Sequence, residues 1–185
     1  MTALWQERWP ECPPFAHRLR GRYPDRWVRF HSLPGSKRHP ENEGEYGVVL
    51  DRHHTVLSAL DPGAVLLVVT SEWTEGPAVT PAQWPRRSEV APSARHWQTL
   101  LEDPEDPTYI QLYAEVVPWR PGVIDVLLRA VADDELANVI LAPADLRWLY
   151  HPYDGGADVI LPTREQRDAL KTRHRGWLSQ QPSRL

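Results

Sequence analysis

Cysteine is almost absent from this chain of 185 residues: Cys12 stands alone, so no intrachain disulfide can form. The fold must hold by packing, which suits a reducing compartment. Long apolar runs are missing as well. The longest, residues 64–69, falls far short of the roughly 20 residues that cross a bilayer. Residues 1–11 mix Trp, Glu and Pro where a signal peptide would carry an apolar stretch. A cytoplasmic protein with no membrane partner is the expectation. A basic excess is lacking: 21 Lys and Arg face 25 Asp and Glu, for a formal net charge of -4. The cations fall in small clusters at 18–22, 37–38 and 164–175 rather than along one stripe, so no nucleic-acid partner is expected. Catalytic signatures are absent too. There is no Walker-type phosphate loop, no nucleophile elbow, no HExxH and no CxxC, which removes the best-supported reaction classes. No cofactor and no metal site is expected.

Proline and tryptophan are plentiful instead, at 19 and 9. Prolines at this density fix many turns between short elements. The length suits one domain, 1–185, with 1–12 and 180–185 expected to be loosely attached. Pro13 and Pro14 open a short helix over 13–22. Residues 26–32 alternate, which puts Trp27, Arg29 and His31 on one face of a strand and Val28 and Phe30 on the other. A turn-rich loop over 33–40 leads into a helix from about 41 to 60, striped by Tyr46, Val49, Leu50, His53, Leu57 and Leu60 at the helical period. Its acidic first turns suit the helix dipole. The continuous apolar run 64–70 reads as a central strand, beside which the first strand is expected to lie. Residues 74–108 look irregular, with at most a helical turn around 94–101. A strand over 109–117, pointing Ile110, Leu112, Ala114 and Val116 inward, precedes a helix over 121–132. Three short strands follow at 138–141, 146–151 and 157–161, the last two joined at Asp154-Gly155-Gly156, where a tight turn calls for positive φ. Thr163 and Gln166 form a capping box for a final helix. The expected class is α+β: a single mixed or antiparallel sheet, helices mainly on one face, and a C-terminal β-hairpin followed by a helix.

Two clusters carry possible chemistry. In the first, Arg29 and His31 lead into Ser36, Lys37 and Arg38 ahead of a helix start, a pattern suited to a phosphate, a carboxylate or an acidic protein patch. The plainer reading pairs these cations with acidic neighbours on a solvated sheet face. In the second, Tyr153, Asp154 and Asp158 join His151 around a glycine turn, where carboxylates and imidazole suit acid–base work or the binding of a metal. Asp and Gly also serve simply to make the turn. His53, on the apolar stripe of its helix, reads as a satisfied core histidine. Asp51, His53 and His54 point in different directions and make no metal site.

The segments WVRFHSLPGSKRHPENEGEY (27–46), RHHTVL (52–57) and WLYHPYDGGADVIL (148–161) resemble an uncharacterised family of bacterial proteins described as a domain of unknown function. The likeness runs from about Pro24 to Trp177. It implies no assigned activity, cofactor or catalytic residue. The leading functional expectation is a non-catalytic domain that binds another protein, as an immunity protein does, or a small anionic ligand. The alternative is an enzyme for a small phosphorylated or carboxylated substrate, with Arg29, Lys37 and Arg38 holding the anion and His31 working with Asp154 or Asp158.

Overall fold

The computed structural model describes residues 1–79, 85–103, 105 and 108–178. The apolar run after the first long helix becomes a central strand, β2 (Val65–Thr74), whose two faces are both covered. Six further strands build one sheet around it: β1 (Trp27–His31), β3 (Arg95–Asp103), β4 (Thr108–Pro118), β5 (Ile140–Pro143), β6 (Leu149–Tyr153) and β7 (Gly156–Ile160). The order is β1-β7-β6-β5-β2-β4-β3, and every neighbouring pair is antiparallel. The chain is therefore α+β with a C-terminal hairpin, β6–β7, followed by a helix.

One face of the sheet is covered by α3 (Glu43–Leu60), α5 (Asp125–Ala132) and α6 (Arg164–Arg173). The start of α3 is set by Asn42, whose side chain accepts from the Glu45 backbone N–H at 3.1 Å, with Glu43 and Glu45 in the first turn. It ends where Asp61 turns left-handed. Val56 and Leu57 of α3, Leu127 and Leu128 of α5 and Leu170 of α6 pack on Val28, Phe30, Leu66 and Val68. Full burial of each such side chain contributes roughly 1.5–3 kcal/mol. Thr163 caps α6 by accepting from the Gln166 backbone N–H.

The opposite face is covered by α1 (Thr2–Arg8) and α2 (Ala16–Arg22). Residues 1–12, expected to be loose, are instead built into the core: Trp5, Trp9 and Cys12 are buried. Each indole N–H finds a carbonyl, Trp5 on Cys12 and Trp9 on Leu146, both at 2.9 Å. Two tryptophans cover enough sheet to anchor a segment that has no apolar run. Residues 180–185 lie outside the described residues.

Three further expectations are corrected. Residues 95–103 form β3 rather than irregular chain with a helical turn, and a short helix, α4 (Pro85–Val90), precedes it. The strand is hard to read because polar side chains line it: Thr99 and His96 bond to Gln111 of β4. Along β4, Ile110 and Leu112 are buried as expected, but Val116 is 58 % exposed because the strand runs past its helical cover. And β1 does not lie beside β2; β7, β6 and β5 intervene, leaving β1 as an edge.

Candidate functional site

The register along β1 determines what its residues do. Arg29 stands opposite Asp158 on β7, and His31 opposite Gly156. The Ser32 N–H donates to Gly155 and the Leu161 N–H to Arg26, so the even-numbered residues 26–32 carry the ladder. Trp27, Arg29 and His31 occupy the alternate, non-bonded positions, where facing side chains approach closely and main-chain groups turn to the open edge. Two of those outward carbonyls are capped by side chains. Arg52 donates to the His31 carbonyl at 2.8 Å and Arg167 to that of Trp27 at 3.3 Å.

The turn that closes β6–β7 uses Gly155 and Gly156, though neither has positive φ, contrary to the sequence expectation. What excludes a side chain is proximity: a Cβ on Gly156 would lie 2.0 Å from the Phe30 carbonyl oxygen. Asp154 caps the Gly155 N–H at 3.0 Å.

The residues singled out in the sequence separate into four groups. Arg29 grips Asp158 through two hydrogen bonds of 2.7 and 2.8 Å and lies over the Tyr153 ring at 4.7 Å. Burial works against the Arg29 charge, but Asp158 more than offsets it. Burial also raises the Tyr153 phenol well above its ordinary value, so it stays neutral. Beside them, burial lowers the His151 pKa, and its Nδ1 lies 2.8 Å from the Val139 carbonyl. In the second group Arg38 pairs with Asp154 across the turn. In the third, Lys37 sits 2.7 Å from both Glu45 oxygens and 3.2 Å from Glu41. All three cations proposed to hold the anion, Arg29, Lys37 and Arg38, are thus neutralised by carboxylates of this chain.

The fourth group is open. His31 and Ser36 line a cleft of about 160 Å³ together with Pro34, Gly35, Arg52 and Trp177. Gly35 and Ser36 both have left-handed backbone, at φ 67 and φ 59, a conformation that is strained for serine and held by its surroundings. Among the described residues Arg52 has no carboxylate within ion-pair distance; its guanidinium lies 5.2 Å from the Trp177 ring centroid. Trp177 is stacked in turn on His174 at 4.7 Å. The His31 Nε2 is shut from solvent and has no hydrogen-bond partner among the described residues. Burial, then the charges of Arg29 and Arg52, lower the His31 pKa and keep the ring neutral at pH 7.

Behind the cleft, His53 is held at both nitrogens, by Ser32 Oγ at 3.2 Å and Tyr150 Oη at 2.6 Å. This is the satisfied core histidine read from the helical stripe. Full burial lowers its pKa to about 3. The adjoining space, about 10 Å³, has room for one water, not a substrate. The network ties α3 to β6 and to the start of the loop that carries Gly35 and Ser36.

Sequence reasoning passed over Arg52, Trp177 and Arg167. Arg52 stood next to the two histidines that drew attention within RHHTVL, and nothing local marks it as the residue left without a carboxylate. Among the described residues no three His, Cys, Asp or Glu side chains are placed to hold a metal ion, and no helix is long and apolar enough to cross a membrane.

Residues 15–182 match the family described as a domain of unknown function, DUF3885. The chain belongs to that family. The match covers β1, the cleft and α6, so the candidate site lies within the family's own domain. No curated protein and no solved structure matches the chain.

Proposed function

We propose that this member of the family is a non-catalytic binding domain, and that the cleft lined by His31, Gly35, Ser36, Arg52 and Trp177 receives a carboxylate of a protein partner. One observation carries the reading. Arg29, Lys37 and Arg38 are neutralised inside the chain, whereas Arg52 faces a cleft with no carboxylate of its own among the described residues. A guanidinium backed by an aromatic ring holds a carboxylate in a fixed plane. The acid–base alternative loses its groups, because Asp158 and Asp154 are each committed to an arginine.

The test is an NMR titration with acetylated glutamate amide, which offers one side-chain carboxylate. Amide shifts are expected at His31, Gly35 and Ser36 and should vanish in Arg52→Gln, while Arg38→Gln behaves as the unmodified protein. Shifts that ignore Arg52, or none at these residues, contradict the proposal.

A further inference from the structure

The cleft does not stand alone on the β1 edge. A second cleft, of about 260 Å³, is lined by Trp27, Arg29, Arg167, Lys171 and Leu178. Leu178 also lines the first. The two therefore meet at Leu178 and lie end to end along the outer edge of β1, with the α6–Trp177 segment as their far wall.

Each is lined by a residue that carries a buried polar atom with no partner among the described residues: the Trp27 indole N–H beside one and His31 Nε2 beside the other. These residues are four apart on an extended strand, which places them roughly 13 Å from each other. A single small anion does not reach both. Between them lies Arg29, whose main-chain N–H and C=O point outward by register, while the carbonyls on either side are already capped by Arg167 and Arg52. Among the described residues the edge thus presents the Arg29 main-chain N–H and C=O as a donor–acceptor pair, flanked by guanidinium groups. Arg167 Nε also sits 2.7 Å from Asp168, a charge contact that is not aligned as a hydrogen bond, so it is the less available of the two arginines. The wall is basic: residues 164–178 hold five Lys and Arg against two carboxylates in a chain whose net charge is -4.

From this we infer that the β1 edge receives an extended acidic peptide segment, about five residues long, from the partner protein. It pairs through its backbone with the N–H and C=O of Arg29 and places a carboxylate at Arg52. Main-chain pairing supplies affinity in strand addition, and the flanking pockets supply specificity. The inference rests on the carboxylate reading of the Arg52 cleft and adds length, conformation and backbone pairing to it.

The probe is the capped pentapeptide Ac-Glu-Val-Glu-Val-Glu-NH2, with acetylated glutamate amide and a five-nucleotide oligothymidylate as comparisons, each titrated into the full chain by calorimetry and NMR. The pentapeptide is expected to bind at least tenfold more tightly than the single glutamate. Among peptides N-methylated at one amide each, at least one should lose tenfold or more, because methylation removes the N–H that meets the Arg29 carbonyl. Trp27→Phe, which keeps the ring bulk, should weaken the pentapeptide several-fold and leave the single glutamate unchanged. If every methylated peptide binds like the parent, or if the single glutamate binds equally well, strand addition is wrong while the carboxylate cleft stands. If the pentapeptide is indifferent to Arg52→Gln, the underlying cleft reading fails as well. Tighter binding of the oligothymidylate than of the pentapeptide overturns the choice of a peptide partner.

Discussion

Both β3 and β1 end the sheet, yet they are built differently. The nine residues of β3 pair with β4 through two register shifts, between His96 and Gln98 and between Leu101 and Asp103. Its carboxylate Glu102 is engaged from α2 and from β2: His17 and Arg18 lie 3.3 and 3.8 Å away, and the Trp73 indole donates at 2.9 Å. Bulges and charges of this kind oppose the addition of another strand. The five residues of β1 instead run in unbroken register. Their side chains are half-buried or buried, and two clefts border the outer edge. One edge is closed by irregularity, and the other is kept regular behind two arginines. An edge in unbroken register, ending in a loop where Ser36 holds left-handed backbone, is the surface on which the proposed binding rests.

If β1 is a rigid, built edge, disturbing it should cost far more than disturbing β3. The largest effect is expected for Gly156→Val. The added side chain meets the Phe30 backbone oxygen, which cannot move without breaking the β1–β7 ladder, and the loss should reach about 4 kcal/mol in denaturant melts. Gly155→Val, where a Cβ first meets the Tyr153 ring at 3.2 Å and φ is not positive, should cost clearly less. Equal losses would show that proximity to Phe30 is not what demands glycine.

Phe30→Ala should follow, at about 3–4 kcal/mol, through lost burial and a residual cavity under α3. Leu100→Ala on β3, which is only partly buried, should cost less than half as much. The reverse order would place the more rigid edge at β3.

A pH effect should come next. His53, behind the β1 cleft, takes up a proton only near pH 3 when folded, against an ordinary value of about 6.5 for an exposed histidine. The unfolded chain therefore holds more protons between these values. The stability His53 confers as a neutral ring is present above about pH 6.5 and is lost as the pH falls toward 3, at up to about 1.4 kcal/mol per pH unit. His31 and His174, also lowered by burial, act in the same direction. In His53→Gln the slope between pH 6.5 and 4 should flatten relative to the unmodified protein. Parallel stability profiles would mean that His53 is not the buried neutral group described.

The smallest effect is expected on the bulged edge. Leu101 on β3 is 43 % exposed, and Leu101→Lys should shift stability by no more than about 0.5 kcal/mol. A shift several times larger would make that side chain part of a core.

Much of this architecture is legible in the sequence where a period is backed by punctuation. The α3 stripe of Val49, His53, Leu57 and Leu60, the alternation of 27–31 and the Thr163 cap all appear where expected. Elements that lean on distant partners are not legible. β3 shows no alternation because Gln111 and Thr99 satisfy each other across the sheet, and α1 is held by Trp5 and Trp9, whose carbonyl partners cannot be read from spacing. The candidate site divides in the same way. The sequence points to Arg29, Tyr153 and Asp158, which meet, and to His31 and Ser36, which line another cleft, but not to which cations are consumed by pairing. That depends on the register that sets Arg29 opposite Asp158, and on the crossing that brings Trp177 beneath Arg52.

The contrast between the two edges is tested most directly by hydrogen exchange of the Arg29 amide. In the free protein this outward N–H should exchange quickly, like the outward amides of β3. With saturating Ac-Glu-Val-Glu-Val-Glu-NH2 it should slow at least tenfold, while exchange along residues 95–103 stays unchanged. Protection along β3 instead, or an Arg29 amide whose exchange the bound peptide leaves untouched, would contradict the account.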